Sequence, residues 1–330
     1  MDIFLQQVVN GLTLGSVYAI VALGYTMVYG IVQLINFAHG EVVMIGAMVA
    51  LSVIGGLAGA FPGMPAAAIV LSGTACAVVV CMAVGYTMER VAYRPLRGAP
   101  RLAPLITAIG ISIILQHSAL LVWSRNPLSF PQIVRNPVMN LAGATISAVQ
   151  IVIILVSVAM MAGLTALVYR TRLGVAMRAT SENPTVAGLM GVNINRVIAS
   201  TFVIGAALAA VAGVMVGTYY GIAHYTMGAL LGLKAFSAAV LGGIGNLAGA
   251  MLGGILLGIV EALGAGYIGE LTDLCRIAWI SDGLTARCAV DHHFVLFGSN
   301  YQDVFAFLVL IAVLIFRPSG LLGERVGDRA

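Results

Sequence analysis

Apolar runs separated by short polar breaks recur along the whole chain. They cover 8–32, 41–60, 66–88, 103–123, 149–169, 197–219, 247–268 and 302–316, with a further short stretch at 229–244. A helix needs about 20 mainly apolar residues to cross a bilayer, and most of these runs reach that length. The runs are continuously apolar and do not alternate, which predicts helices and argues against the strands of a membrane barrel. The expectation is an all-α, polytopic integral membrane protein with about eight or nine transmembrane segments, forming one domain over residues 1–330.

Composition strengthens this reading. Of the 330 residues, 61% are hydrophobic and 8% charged, and the mean hydropathy is +1.05. A soluble domain carries about 25% charged residues. This chain lacks the polar surface to face water on all sides, so its natural surroundings are the lipid bilayer. The formal net charge of +4 does not point to nucleic acid, because the basic residues sort by membrane side. Met1–Gln7 lack the positive start of a secretory leader, so no cleavable signal is expected.

Eleven of the 16 basic residues occupy three places: Arg90, Arg94, Arg97 and Arg101; Arg170, Arg172, Arg178 and Arg196; and Arg317, Arg325 and Arg329. Two spans separate the first two clusters, so both lie on one side, and the bias of such loops makes that side cytoplasmic. Residues 270–303 carry Glu270, Asp273, Asp282, Asp291 and Asp303 against Arg276 and Arg287 and read as external, with 270–301 an external loop insertion. Returning from residue 196 to the tail takes an even number of crossings, which requires 229–244 to cross as a short or broken span. A single span over 8–32 puts the N-terminus outside.

The segment RATSENPTVAGLMGVNINR, residues 178–196, is the polar exception between two apolar runs. Asn183 is a good cap for free helix N–H groups, and Pro184 suits a first helical position. Gly191 tolerates the left-handed backbone that stops a helix. The spacing predicts a helix over Pro184–Met190, about 10 Å long, with Val186, Leu189 and Met190 on one apolar side. Two turns are too few to stand alone in water. On these residues alone, the surface beneath the helix is either the lipid interface or a groove in a cytoplasmic partner.

Several long blocks resemble a known family: NGLTLGSVYAIVALGYTMVYGIVQLINFAHGEVVMIGA (10–47), ERVAYRPLR (89–97), LITAIGISIILQ (105–116), GLMGVNINRVIASTFVIGAALAAVAGV (188–214) and KAFSAAVLGGIGNLAGAMLGGILLGIVEAL (234–263). They are similar to the permease subunits of bacterial ABC importers for branched-chain amino acids, and the likeness runs through most of the chain. It implies a transmembrane domain of that importer type, in the bacterial inner membrane, moving leucine, isoleucine or valine. It also implies a heterodimer with a second homologous permease, two cytoplasmic ATP-binding subunits and an external amino-acid-binding protein. ATP and Mg would sit on those subunits, since this chain has no Walker lysine motif and no cofactor or enzymatic activity is expected of it. In that family a cytoplasmic coupling helix docks on the ATPase, which maps here to residues 184–191. The residues it implicates are Glu182, Pro184, Ala187, Leu189, Met190 and Gly191. The wider importer pattern is Glu-Ala-Ala with Gly four residues after the second Ala. Ala187 and Gly191 keep that spacing, but Thr185 and Val186 stand where Glu and the first Ala would, and Glu182 lies upstream.

INFAHGE (35–41) places Asn36, His39 and Glu41 at a junction of two spans. Polar groups near hydrocarbon are costly and often functional. Either these three bound the translocation path or its gate, or Asn36 and His39 cap helix ends while Glu41 sits favourably in a first turn. They are too few for a metal site. Lys234, the only lysine, and Glu261 each either find a partner or snorkel to the interface; a pairing of the two near the external face would be a structural tie. Gly249–Gly253 reads as close helix packing, and LGGIGN lacks the lysine and preceding strand of a nucleotide cradle. Cys76 and Cys81 read as inert apolar residues. Cys275 and Cys288 lie in the external segment, where a disulfide can persist and would contribute roughly 3 kcal/mol. DHHF (291–294) reads as an exposed polar loop, with opportunistic metal binding as the alternative. Two alternatives remain beside the amino-acid permease: a relative carrying urea or short amides, and a stand-alone channel or secondary transporter.

Overall fold

A computed structural model describes residues 2–100, 102–133, 136–141, 143–271 and 301–323. The chain runs α1 (Asp2–Val32), α2 (His39–Ala60) and α3 (Ala66–Thr87), then a π-helical turn (Met88–Tyr93), a 3-10 turn (Arg94–Leu96) and α4 (Leu102–Val122). It continues through α5 (Ala148–Arg170), α6 (Arg172–Glu182), α7 (Pro184–Leu189), α8 (Ile194–Tyr220), α9 (Met227–Gly242), α10 (Leu247–Leu271) and α11 (Gln302–Phe316). Among the described residues, seven helices are long and apolar enough to cross a membrane, and α9 and α11 are shorter apolar ones. The expected count of eight or nine therefore depends on these two. Two short antiparallel pairs complete the structure: β1 (Leu128–Ser129) with β4 (Ile222–Ala223), and β2 (Val138–Leu141) with β3 (Ala144–Ser147).

Boundaries differ from the sequence expectation where polar residues continue a helix. The first helix starts at Asp2 instead of 8, and the second at His39 instead of 41. Helix α6 was not expected. The Thr171 side chain accepts from the Gly174 amide at its start, and the helix buries Gly174, Met177 and Thr180. A three-residue spacing of small and apolar positions was its signal, hidden by four surrounding charges.

Specific contacts define the two ends of the bundle. Arg97 donates to Asn195, joining the first two arginine-bearing loops. A crevice brings Gly30, Val168, Arg178 and Gly245 together at that end. The tail joins it as well, because the Leu321 and Leu322 amides donate to the Leu241 and Gly242 carbonyls at 2.9 Å. At the opposite end Gln6 meets Thr145 and β1 pairs with β4. Helix α9 leads from the β4 region to the turn at 243–246 in 16 residues, about 24 Å.

Helix α1 is enclosed by α5, α8, α9 and α10. Lipid supplies little apolar driving force between helices, so association relies on close van der Waals contact. Gly11 and Gly15 lie against Gly254, Ile255 and Gly258, and a Cβ on Gly15 would stand 2.8 Å from the Ile255 Cα. Gly253 packs on Gly242 and Ala238 of α9 in the same way. LGGIGN forms the α9–α10 turn.

Candidate transport path and coupling surface

Helix α7 is built by local capping. The Asn183 side chain accepts from the Val186 amide at 3.1 Å, and Pro184 occupies the first position. Gly191 has φ +87°, and the amides of Gly191 and Val192 donate to Gly188 and Ala187 carbonyls, both at 3.0 Å. This is a Schellman stop, which satisfies carbonyls the helix end would leave free. The helix thus ends at Leu189, and Met190 is its C-cap. Ala187 is buried against the body of the protein, whereas Leu189 and Met190 are 82% and 81% exposed. Glu182 ends α6, exposed, and is not part of α7.

The α7 end connects to the first arginine loop. Asn193 caps α8 by accepting from the Arg196 amide, and Asn195 accepts from Arg97. Arg97 also pairs with the buried Glu89 carboxylate inside the π-helical turn. Burial pulls the Arg97 guanidinium below its ordinary pKa, opposed by the charge of Glu89. Tyr93, at the end of the same turn, donates to the Asn36 side chain at 2.8 Å.

Asn36, His39 and Glu41 all lie in the core, and the structure corrects the alternative in which Asn36 and His39 cap helices at the interface. Asn36 accepts from the Ala38 amide and from Tyr93. His39 begins α2, its ring stands 4.8 Å from the Tyr25 ring, and it fills the space beside Gly24 and Gly205. Its side chain does not cap the helix. Glu41 is in the first turn of α2 and only 1% exposed. Its Oε1 accepts from Gln116 Nε2 at 2.8 Å and Ser112 Oγ at 3.2 Å, both on α4. Sequence reasoning missed Ser112, Gln116 and Tyr93, because the spacing of one helix says nothing about which neighbour faces it.

Lys234 Nζ lies 2.7 Å from Glu261 and 2.6 Å from Asp303, tying α9, α10 and α11 together. Among the described residues no group of three His, Cys, Asp or Glu converges as a metal site. Cys275, Cys288, DHHF and most of the 270–301 segment lie outside the described residues.

Comparison with known proteins agrees with this architecture. The family model for the permease component of branched-chain amino acid transport systems matches residues 7–314. The chain is 47% identical to the high-affinity branched-chain amino acid transport system permease protein BraD of Pseudomonas aeruginosa, over 97% of this chain and 96% of that one. It is 43% identical to the corresponding permease protein LivH of Escherichia coli K12, with the same coverage. A probable branched-chain amino acid permease of Methanocaldococcus jannaschii is 27% identical over 60% of the chain. No solved structure matches. A match across nearly all of the bundle, including the short α9 and the α7 loop, leaves one conclusion: the chain belongs to the family of branched-chain amino acid transport permease components.

Proposed function

We propose that this chain is one of two related membrane subunits of an ATP-driven importer in the bacterial inner membrane, carrying leucine, isoleucine or valine inward. Two cytoplasmic subunits bind ATP and Mg, and an external binding protein delivers the amino acid. The observation that carries this reading is α7. It is a six-residue helix on the arginine-rich side, capped at both ends, that leaves Leu189 and its C-cap Met190 exposed. Exposed apolar side chains on a short, firmly capped helix are a docking feature. Closure of the ATPases would push α7, and with it α8 and the Arg97 loop that Asn195 holds. The names borne by the relatives favour branched-chain amino acids over urea or short amides.

The complex, reconstituted in liposomes with its partners, should accumulate labelled leucine and not urea when ATP is supplied to the ATPase side. Changing Leu189 and Met190 to Asp should release the ATPases in a pull-down while the chain itself stays folded. Leucine flux through this chain alone, or full retention of the ATPases by the double variant, contradicts the reading.

A further inference from the structure

We propose that Glu41 is a specificity-determining residue for transport, accepting the α-ammonium group of the passing amino acid on its Oε2 oxygen. The inference rests on the amino-acid reading above and deepens it by naming a residue on the path.

Four carboxylates with described side chains lie in the apolar helices and the π turn that extends α3. Glu89 pairs with Arg97, and Glu261 and Asp303 pair with Lys234. Among the described residues no salt bridge reaches Glu41, although it is 1% exposed. A charged group at membrane depth faces the bundle interior or a water-filled path, and it seeks a partner of opposite sign. Glu41 therefore lacks what the other three have.

Its geometry is also incomplete on one side. Both donors, Gln116 and Ser112, converge on Oε1. Oε2 is buried with no hydrogen-bond partner, and a buried oxygen left unpaired is costly. This oxygen faces the bare backbone of α9, since a Cβ on Gly228 would stand 2.6 Å from it. The first turns of α2 and α9 meet there, with Gly40 against Gly228 and Gly232. Each helix begins after a break in the chain, at 33–38 and 224–226. Ser112 is the eleventh of the 21 residues of α4, so the carboxylate lies near mid-membrane. Transporters place solute sites at that depth, between helices that start within the bilayer.

Of the seven long helices α4 is the least enclosed, and its Ser112 and Gln116 hold the carboxylate through Oε1 alone; release of that grip would let the carboxylate turn Oε2 away from the α9 backbone. A cavity of about 540 Å³ between α3, α5 and α8, lined by Val70, Ile153 and Met215 together with Gln6 and Gln150, has no charged side chain in its lining. It offers an ammonium group no counter-charge, whereas Glu41 does.

The test uses the complete complex in liposomes. Leucine uptake by the unaltered complex is measured first, and its absence overturns the amino-acid reading and this assignment together. With uptake present, Glu41→Gln should lower it about tenfold or more, while the partner subunits still co-purify and ATP is still hydrolysed. Glu41→Asp should recover part of the loss. Unchanged uptake in Glu41→Gln overturns this assignment alone. A second measurement avoids the variant and decides the matter should Glu41→Gln fail to assemble. In the unaltered complex, modification of Glu41 by dicyclohexylcarbodiimide, read by mass spectrometry, should be slowed by leucine and not by 4-methylpentanoate, which has the same carbon skeleton without the ammonium. Protection by both, or by neither, overturns the assignment.

Discussion

Lys234 Nζ lies 2.7 Å from Glu261 Oε1 in the interior of the bundle, and the same ammonium reaches Asp303 of α11 at 2.6 Å. One lysine therefore serves three helices. Removing one partner of a buried ion pair leaves the other charge uncompensated, at a cost of about 3–5 kcal/mol. Lys234→Met, which strands two carboxylates, should lower the melting temperature in detergent most. Glu261→Gln should cost less, because Lys234 keeps Asp303. Asp303→Asn should cost least, since the Asp303 side chain is 29% exposed. A Lys234→Met melting curve matching the unaltered chain would remove the structural role assigned to the tie.

Asn183 and Gly191 act on α7 without contributing apolar surface. Asn183→Ala removes the cap on Val186, a change that costs about 1 kcal/mol of helix stability. Gly191→Ala meets no neighbour within 4 Å but must hold φ +87°, which costs about 1–2 kcal/mol for a residue with a Cβ. Both variants should weaken ATPase binding in a titration while leaving the melting of the isolated chain nearly unchanged. Equal loss of both properties would mean that α7 is part of the folding core.

Gly24 and His39 form a size-matched pair. A methyl group at Gly24 would run into the His39 imidazole, and the ring is hemmed in by Tyr25 and Gly205. Gly24→Ala should destabilise the chain by about 1–3 kcal/mol, as overpacking does. Adding His39→Ala should relieve much of that penalty, so a double-mutant cycle should return a coupling of about 0.5–3 kcal/mol. Strict additivity would show that the two positions do not touch.

Cys76 and Cys81 sit on the same helix with different surroundings. Cys76 is exposed on the outer surface of α3, and Cys81 is buried with its thiol donating to the Val42 carbonyl at 3.4 Å. Because thiol reactions follow access, a lipid-soluble maleimide should modify Cys76 about tenfold faster or more. Peptide mass spectrometry reads the ratio, and equal rates would contradict the packing of α3 on α2.

Much of the helical layout was legible from residue order, because each span is long enough to declare itself by apolar length. The α7 turn was legible for a different reason. Asn183, Pro184 and Gly191 act on their own neighbours in the chain, so capping chemistry is written locally. Scarcity made a Lys234–Glu261 pairing one option beside snorkelling to the interface, and the packing of α9 on α10 chose it. Asp303 as the third member was not legible, and neither were Gln116 and Ser112 beneath Glu41, because those contacts join residues 69 to 75 positions apart.

The order of amino acids alone determined that this chain crosses a bilayer several times, that its first two arginine clusters share one end of the bundle, and where a small capped helix breaks the polar loop. Transfer of apolar length into lipid and hydrogen bonding within a few residues decide those matters, and both are properties of contiguous sequence. Only the tertiary structure decided that His39 fills a hole beside Gly24 instead of capping an interface, and that Glu41 is gripped on one oxygen and bare on the other. Those outcomes depend on how glycine-bearing helices approach one another, and close packing in a medium as apolar as the helices themselves is settled by shape across the whole bundle.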